Sequence, residues 1–415
     1  MKSIQKQIGL VVIILLAGFD LANAQNLGAA YAWTKYPNKI QELDQLIQQS
    51  NQYALEPSDY NRHYLKSFLE AGLYLKNATD SATADSIIHK TALHFFGELA
   101  YGNHPPQLQY EGVNFKMDKA SVDAKVKQYA STKSLSALVV FYNTQSPELI
   151  SILKKLYQLQ DSLPQSKNKV IILKRAANEY RWLREISKNQ KIILVNIPST
   201  QLHVYDGTKN PINMKVIVGK TKTPTNTLSS TLAQVIINPY WTVPKSIATK
   251  EMLPILKKDR SYIDRTHLQV LNENYRVVSP NNINWQNYDV DNFPFTIRQS
   301  TGCDNSLGVL KLDFDSPFGI YLHDTPEKAL FENSSRFYSH GCMRMERPIE
   351  MGKWVLQNNR AALDTIDLSK CYKNPTPINI PVSQKIHVIV WYSLLDFDNN
   401  GRLHFFKDIY HKFSY

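Results

Sequence analysis

The hydrophobic pattern divides the chain into two parts with different periodicity. From about Ala30 to Leu163, apolar residues recur at three- and four-residue spacing, as at Ile40, Leu43 and Leu46. This spacing predicts amphipathic helices. From Lys191 onwards, short runs of β-branched and aromatic residues alternate with Gly, Pro, Asn and Asp, which indicates strands. We therefore expect a multidomain α+β protein with an all-α N-terminal part and a mainly-β C-terminal part.

Strand-like runs are frequent in the second part, and they read KIILVNI, QLHVYD, MKVIVG, AQVIINPYWTV, GVLKLDF and GIYLH. Strands at this spacing predict a mainly antiparallel sandwich or barrel. Between Ile247 and Thr296 the strand pattern is replaced by a short helix, KEMLPILKK, and a polar stretch with interspersed aromatic residues. An insertion of this length in a domain is often a lid over a site. A further helix is predicted at RPIEMGKWVLQN.

The C-terminal residues predict a β-hairpin around Asn400-Gly401, because this dipeptide favours a tight turn between two apolar runs. The same residues fit half of a calcium loop, with Asp396 and Asp398 at its first and third positions. Its twelfth position is Lys407 rather than Glu, and the flanking residues are strand-like. We therefore reject an EF-hand.

The first 24 residues have the anatomy of a secretory signal peptide: a basic start, an apolar run from Ile8 to Phe19, and the small-residue pattern Ala22-Asn23-Ala24. We expect cleavage after Ala24 and a location in the periplasm or cell envelope. The alternative is a retained anchor, but the apolar run is about 12 residues long, whereas about 20 are needed to span a bilayer.

The length and the net charge of the chain further limit the class of protein to which it can belong. With 415 residues the chain is too long for a single core, and its net charge is +12. An exported protein with this charge meets cell-wall peptides and acidic lipid headgroups before it meets nucleic acid. No run rich in Lys and Arg with interleaved aromatic residues suggests nucleic-acid binding.

Only three cysteines occur, Cys303, Cys342 and Cys371, and none forms a CxxC pair. This excludes a Cys-rich zinc module, and we expect neither a metal nor a cofactor. In an oxidising compartment the odd number leaves at least one thiol free or paired with another chain. Cys303 is either a buried thiol or bridged to Cys371.

The residues that suggest chemistry lie between Gly319 and Arg347. His323 ends a short apolar strand, and Cys342 follows 19 residues later. A thiol with a nearby imidazole is the pair needed for covalent acyl transfer. Gly341 lets the backbone turn tightly, so that amide groups can point at a developing oxyanion.

The setting of Cys342 predicts a reactive thiol. Arg344, His340 and a helix beginning near Pro348 would all favour the thiolate form. A lone Cys or His is usually a structural side chain, but here several polar groups coincide in one short window. Tyr321 and Trp241 are candidate aromatic residues of the cleft, although such side chains more often belong to a core.

These motifs resemble the L,D-transpeptidases with a YkuD-type catalytic domain, in particular the large periplasmic YcbB-like subgroup. The similarity rests on SHGCMR and YLHDTP and extends to VIVGKTKTPT, NPYWTVPKSIATKEMLPIL, RQSTGCDNSLG and DFDNNGRLHFFKDIY. It covers most of the mature chain, including the helical part.

The resemblance implies an activity and roles for the site residues. Cys342 would attack a peptidoglycan tetrapeptide stem at its third residue, release D-Ala, and pass the acyl group to an amine of a neighbouring stem, which forms a 3→3 cross-link. His323 would be the base, held by a backbone carbonyl. Ser339, His340 and Gly341 would shape the pocket and the oxyanion hole, and Arg344 would support the loop or bind a substrate carboxylate.

The expected domains are a signal peptide (1–24), a helical scaffold domain (25–165), a linker helix (166–190), the L,D-transpeptidase catalytic domain (191–360, with the lid at about 247–296) and a C-terminal extension with the hairpin (361–415). Larger relatives carry a small peptidoglycan-binding module near the linker, and this chain has no room for one. Engagement of the wall would then fall to the helical domain and the lid. Envelope proteins are further candidate partners of the helical domain.

Three other interpretations compete with this one. With water as acceptor, the same thiol would make an L,D-carboxypeptidase or amidase. Cysteine peptidases of the NlpC or sortase type fit less well, because the former place Cys before His and the latter separate the pair more widely. A non-enzymatic wall protein would be expected to have lost Cys342 or His323, and both are present.

Overall fold

The computed structural model describes residues 31–71, 77–160, 166–207, 212–367 and 370–414. The predicted signal peptide, residues 1–24, lies outside the described residues. The chain divides into a helical unit, up to Pro105 and again over Lys116–Glu185, and a β unit, Pro106–Phe115 and Ile186–Tyr415. Among the described residues, no helix combines the length and the apolar composition needed to cross a membrane.

The helical unit has the amphipathic helices that its periodicity predicts. The helices are Pro37–Gln48, Arg62–Ala71, Ala78–Tyr101, Lys119–Thr132, Leu135–Asn143, Pro147–Gln160 and Lys167–Ser187, with short 3₁₀ turns at Trp33–Lys35, Ser50–Tyr53 and Pro57–Asp59. Their apolar faces meet in one core that includes Ile40, Leu43 and Phe95. Asn77 and Asp118 begin two of these helices by accepting hydrogen bonds from backbone amides of the first turn.

The helix Lys167–Ser187, which the sequence assigns to a linker, lies within the helical unit as far as Glu185. Its Arg181 is fully buried and donates hydrogen bonds to the carbonyl oxygen of Tyr53 (2.6 Å) and to Asn143 Oδ1 (3.0 Å). A buried guanidinium needs such acceptors, because an unpaired charge is costly in an apolar core. Most of this helix is therefore part of the helical unit.

The β unit contains the strands that the sequence predicts. In chain order they are β1 Tyr110–Glu111, β2 Lys191–Asn196, β3 Gln201–Tyr205, β4 Asn213–Gly219, β5 Leu228–Ile237, β6 Trp241–Thr242, β7 Leu268–Leu271, β8 Val277–Val278, β9 Thr296–Gln299, β10 Leu310–Phe314, β11 Leu322–His323, β12 Phe337–Ser339, β13 Met343–Met345, β14 Ile378–Pro381, β15 Ile386–Trp391, β16 Leu395–Phe397 and β17 Leu403–Phe405. The helices Pro348–Leu356 and Ala361–Asp364 follow β13.

Eight of these strands close into a barrel, in the order β5-β10-β11-β13-β4-β3-β2-β15, with β15 returning to pair with β5. Most neighbours are antiparallel, whereas β11 with β13 and β15 with β2 are parallel. β5 closes the ring because its ten residues are long enough to pair with β15 over one half and with β10 over the other. The prediction of a mainly-β domain is thus confirmed, and the barrel is the form that it takes.

The insertion folds as a small module on the barrel. It has its own four-stranded sheet, in the order β6-β9-β7-β8, together with helical segments at Lys245–Ile247, Ala248–Met252, Leu253–Leu256 and Tyr262–Arg265. Its core includes Leu256, Trp285 and Ile297. The sheet is wider than the predicted 247–296, because Trp241 pairs with Gln299 before the lid segment begins.

The predicted C-terminal hairpin is present. β16 and β17 pair antiparallel, and Asp398 Oδ1 accepts hydrogen bonds from the amides of Asn400 and Arg402 in the turn. Asp396 is buried and accepts hydrogen bonds from Asn196 and Ser199 of the barrel. This carboxylate therefore anchors the hairpin on the barrel.

A disulfide bond joins Cys303 to Cys371 and decides between the two alternatives for Cys303. It links the turn after β9 to the segment before β14, where Gly302 also pairs with Lys373 and Thr301 Oγ1 donates to the carbonyl oxygen of Pro375 (2.7 Å). Cys342 remains as the free thiol.

We predict that replacing both Cys303 and Cys371 with Ser lowers the free energy of unfolding by about 2–4 kcal/mol, because the bridge closes a loop of 68 residues in the unfolded chain. Urea unfolding with and without a thiol reductant measures this effect. Reductant should lower the midpoint of the wild type to that of the double variant and leave the variant unchanged. A wild-type midpoint that does not respond to reductant would contradict the prediction.

Candidate active site

A cleft of about 680 Å³ lies between the barrel and the insertion, within the β unit. Cys342 and His323 both line its barrel side, and Trp241, Lys250 and Glu251 line its insertion side. The lid predicted from the sequence therefore forms one wall of the cavity that holds the candidate nucleophile and base.

Pairing between β11 and β13 brings the nucleophile and the base to this cleft. The two strands are parallel neighbours, with Leu322 opposite Met343 and His323 opposite Arg344. The amide of Met343 donates to the carbonyl oxygen of Tyr321 (3.0 Å), which extends the pairing by one residue. Leu322 and Met343 are fully buried in the barrel. The 18 residues between His323 and Cys342 thus leave the barrel at β11 and return to it at the neighbouring strand β13.

His323 is buried and oriented by the backbone. Its Nδ1 lies 2.5 Å from the carbonyl oxygen of Asp324, so Nδ1 carries the proton and donates it to this bond. Burial, and then the charge of Arg344, lower the pKa of His323 to about 3. The imidazole is therefore neutral at neutral pH, with a lone pair on Nε2.

The backbone amide and the hydroxyl group of Tyr321 are donors that lower the pKa of the Cys342 thiol. Burial nevertheless raises the pKa of Cys342, and it outweighs these donors and the charges of Lys311 and Arg344. The prediction of a thiolate at neutral pH is therefore wrong, because the sequence showed the nearby cations but not the burial. The predicted helix begins at Pro348, which lines a different cavity from Cys342.

Ser339 and Gly341 shape the turn that carries the thiol. Ser339 Oγ accepts a hydrogen bond from the amide of Gly341 (3.1 Å) and donates one to the carbonyl oxygen of Cys342 (2.5 Å). Gly341 has φ = +119°, a value that side chains strongly disfavour. The amide of Gly341 is already engaged in the hydrogen bond to Ser339 Oγ. The amide of Cys342 has no acceptor among the described residues.

His340 and Arg344 lie at the surface of the cleft and are both paired with acidic residues. His340 Nε2 is 3.0 Å from Glu251 Oε1 of the insertion. Arg344 forms an ion pair with Glu327, on the loop that follows His323. Arg344 thus holds that loop, and both pairs are exposed enough to open when a charged ligand competes for them.

The two candidate aromatic residues are connected to the thiol. Trp241 and Tyr321 line the same cleft as Cys342, and the carbonyl oxygen of Tyr321 accepts a hydrogen bond from the amide of Met343, the residue after the thiol (3.0 Å). Burial, together with the proximity of Cys342, raises the pKa of Tyr321, which keeps the phenol protonated and able to donate. Trp241 and Tyr321 therefore both line the cleft, and Trp241 also packs against the core of the insertion.

Sequence reasoning missed several residues that support the site. Asp324 supplies the carbonyl group that orients His323, and its carboxylate accepts a hydrogen bond from the amide of Val309 (2.9 Å) and pairs with Lys328. The sequence feature that could have identified Asp324 is its position directly after His323. Thr225 Oγ1 donates to the carbonyl oxygen of Gly341 (2.8 Å) and braces the turn from the segment VIVGKTKTPT. Glu251 and Lys311 carried no sequence signal.

Within the described ranges, no group of three or more His, Cys, Asp or Glu side chains is arranged to hold a metal ion. The chemistry that the cleft offers from its own side chains is that of a thiol, an imidazole base and hydrogen-bond donors. These groups suit nucleophilic attack on a carbonyl carbon.

Comparison with known families and proteins agrees with the geometry. The YkuD family, described as the L,D-transpeptidase catalytic domain, matches residues 190–380, and a family described as the Scaffold domain matches residues 25–156. A curated Haemophilus influenzae protein named "Putative L,D-transpeptidase" is 32% identical over 232 residues, which are 56% of this chain and 47% of that protein. The chain thus spans about half the length of this curated relative.

Among solved structures, an L,D-transpeptidase from Mycobacterium smegmatis matches 48% of this chain and 58% of its own chain, at 16% identity. Its TM-score of 0.22 is too low for a comparison of folds. The family matches cover both units of the chain, one on the helical part and one on the β part. The chain therefore contains a YkuD domain, the family described as the L,D-transpeptidase catalytic domain, and carries it behind an N-terminal scaffold domain.

Proposed function

We propose that this protein is a peptidoglycan L,D-transpeptidase that forms 3→3 cross-links through a thioester on Cys342. The observation that supports this most strongly is a free thiol in the same cleft as a neutral, backbone-oriented imidazole, in a domain of the YkuD family. The charged side chains of the cleft wall, Lys250 and Arg344 among them, suit the carboxylates of a stem peptide.

Acylation begins from the neutral pair. As Sγ of Cys342 attacks the carbonyl carbon of the third stem residue, Nε2 of His323 takes the thiol proton. The amide of Cys342, which has no acceptor among the described residues, is placed to stabilise the oxyanion. When the bond to D-Ala breaks, the imidazolium returns its proton to the leaving amine, and a thioester remains on Cys342.

Deacylation repeats these steps with an amine of a second stem. His323 takes a proton from the amine as the amine attacks the thioester carbonyl carbon. The new amide bond forms, the thiolate leaves, and the imidazolium reprotonates it. The cleft is open to solvent, so water is the competing acceptor, and its use would make the enzyme an L,D-carboxypeptidase.

Export to the periplasm is part of the proposal. It is supported by the leader sequence and by the Cys303–Cys371 bridge, because structural disulfides persist in oxidising compartments. N-terminal sequencing of the protein from a periplasmic extract should begin at Gln25. The scaffold domain is then available to envelope partners.

We predict that a carbapenem forms a single covalent adduct on the wild type and none on Cys342→Ala, as read by intact-mass spectrometry. His323→Gln should slow the adduct by about 10²–10⁴-fold, because the thiol loses its base. Lys353→Met, which removes a cation paired with Asp364 away from the cleft, is the matched control and should acylate like the wild type. An adduct on Cys342→Ala would exclude Cys342 as the nucleophile.

We predict that chromatography of peptidoglycan digests shows 3→3 dimers after incubation with the wild type and none after incubation with Cys342→Ala. Tripeptide stems without dimers would show that water is the acceptor and would favour the carboxypeptidase. Unchanged tetrapeptide stems would argue against both activities.

We predict that His323 stays neutral from pH 8 to pH 4, as read from its ¹⁵N chemical shifts. Its folded pKa of about 3 is below the value of about 6.5 in the unfolded chain, which therefore takes up the proton first. The contribution of neutral His323 to stability is present above pH 6.5 and is lost as the pH falls towards 3. His323→Gln should accordingly lose less stability than the wild type between pH 7 and pH 4.5. An imidazolium signal at pH 7 would contradict the neutral pair.

A further inference from the structure

We propose that Lys311 is a positioning residue for the nucleophile, because its ammonium group holds the ring of Tyr321 in place beside His323 and Cys342 in the cleft. This deepens the proposed function and rests on it, since it takes Cys342 to be the nucleophile. Lys311 is not among the residues that line the cleft, so it acts through Tyr321 rather than on substrate.

The fold places Lys311 directly behind the site. It lies on β10 and is the partner of His323 on β11 in the antiparallel register. Its Nζ is 4.1 Å from the centroid of the Tyr321 ring, which is within the range of a cation–π contact. Asp313, two residues along the same strand, holds the ammonium group at 2.9 Å. The lysine side chain is only 18% exposed, which limits screening by solvent.

Tyr321 is the element through which this contact acts. Its carbonyl oxygen accepts a hydrogen bond from the amide of Met343, the residue after the thiol (3.0 Å), and its backbone amide and hydroxyl group lower the pKa of Cys342. Its ring stands edge-on to His323, with 5.7 Å between ring centroids. A shift of this ring would therefore withdraw a donor from the sulfur and also loosen the packing around the base.

Three residues act electrostatically on the thiol from the neighbouring strands: Tyr321 next to β11, Arg344 on β13 and Lys311 on β10. Arg344 is paired with Glu327, as Lys311 is with Asp313. Lys311 opposes the effect of burial on the pKa of Cys342, and it also contributes to the low pKa of His323. One cation thus favours ionisation of the nucleophile and keeps the resting imidazole of His323 unprotonated.

The test measures the rate of Cys342 alkylation by iodoacetamide as a function of pH. The Cys303–Cys371 bridge leaves Cys342 as the free thiol, so the signal belongs to one site. We expect Lys311→Met to slow alkylation at pH 7 by about three- to tenfold and to move the pH profile upward, because one pKa unit corresponds to about a tenfold change in thiolate. Lys311→Arg keeps the cation and should remain within about twofold of the wild type.

Two further variants separate positioning from a general effect of charge. Lys353→Met removes a cation that is paired with Asp364 away from the cleft and should alkylate like the wild type. Tyr321→Phe removes the hydroxyl donor. If Lys311 acts through Tyr321, the losses in Lys311→Met/Tyr321→Phe should be clearly smaller than the product of the single losses.

The proposal is overturned if Lys311→Met gives the wild-type profile, if Lys311→Arg is as slow as Lys311→Met, or if the losses in the double variant multiply. Lys311→Gln replaces Lys311→Met if thermal unfolding shows that the latter does not fold. Alkylation needs no peptidoglycan, so its outcome is independent of the cross-linking assay. A normal alkylation series with no 3→3 dimers would reject the proposed function and leave the role of Lys311 intact.

Discussion

The parallel pairing of β11 with β13 is the constraint on which the site depends. This pairing sets Leu322 beside Met343 in the barrel core. It therefore holds the adjacent residues, His323 and Cys342, close together on neighbouring segments of the chain. The register of a strand with a buried face is strongly specified, because a slip of one residue would turn its apolar side chains outward. The loop between the two residues can therefore vary while the nucleophile and the base stay in place.

Burial in the same barrel sets the chemical state of the pair. It disfavours charge on either partner, which raises the pKa of Cys342 and lowers that of His323. A resting thiolate and imidazolium would each lack most of their hydration in this cleft. The neutral pair avoids this cost, and charge develops only when a substrate carbonyl is present to share it. The amide and hydroxyl groups of Tyr321 lower the pKa of the thiol and so favour that step without maintaining an ion pair at rest.

Structural features that depend on local or periodic sequence patterns could be predicted from the sequence. Helical spacing predicted the helical unit, the β-branched runs predicted the barrel strands, and Asn400-Gly401 predicted the hairpin turn. Contacts between residues that are distant in the sequence could not be predicted from it. The Glu251–His340 pair and the Lys311–Tyr321 contact depend on how the insertion and β10 pack, and no spacing encodes them. The charge state of Cys342 was mispredicted for the same reason, since burial is a property of the assembled fold.

The disulfide lies where the insertion returns to the barrel, and this position explains its value to the site. β9 leaves the insertion at Gln299, which itself lines the cleft, and Cys303 follows within the turn that leads to β10 and Lys311. Without the bridge this turn would be held by the Gly302–Lys373 pairing, the Thr301 hydrogen bond to Pro375 and local contacts. The covalent link fixes the exit of the lid and the start of β10 together. One bond therefore restrains both the wall that faces the substrate and the strand that supports the nucleophile from behind.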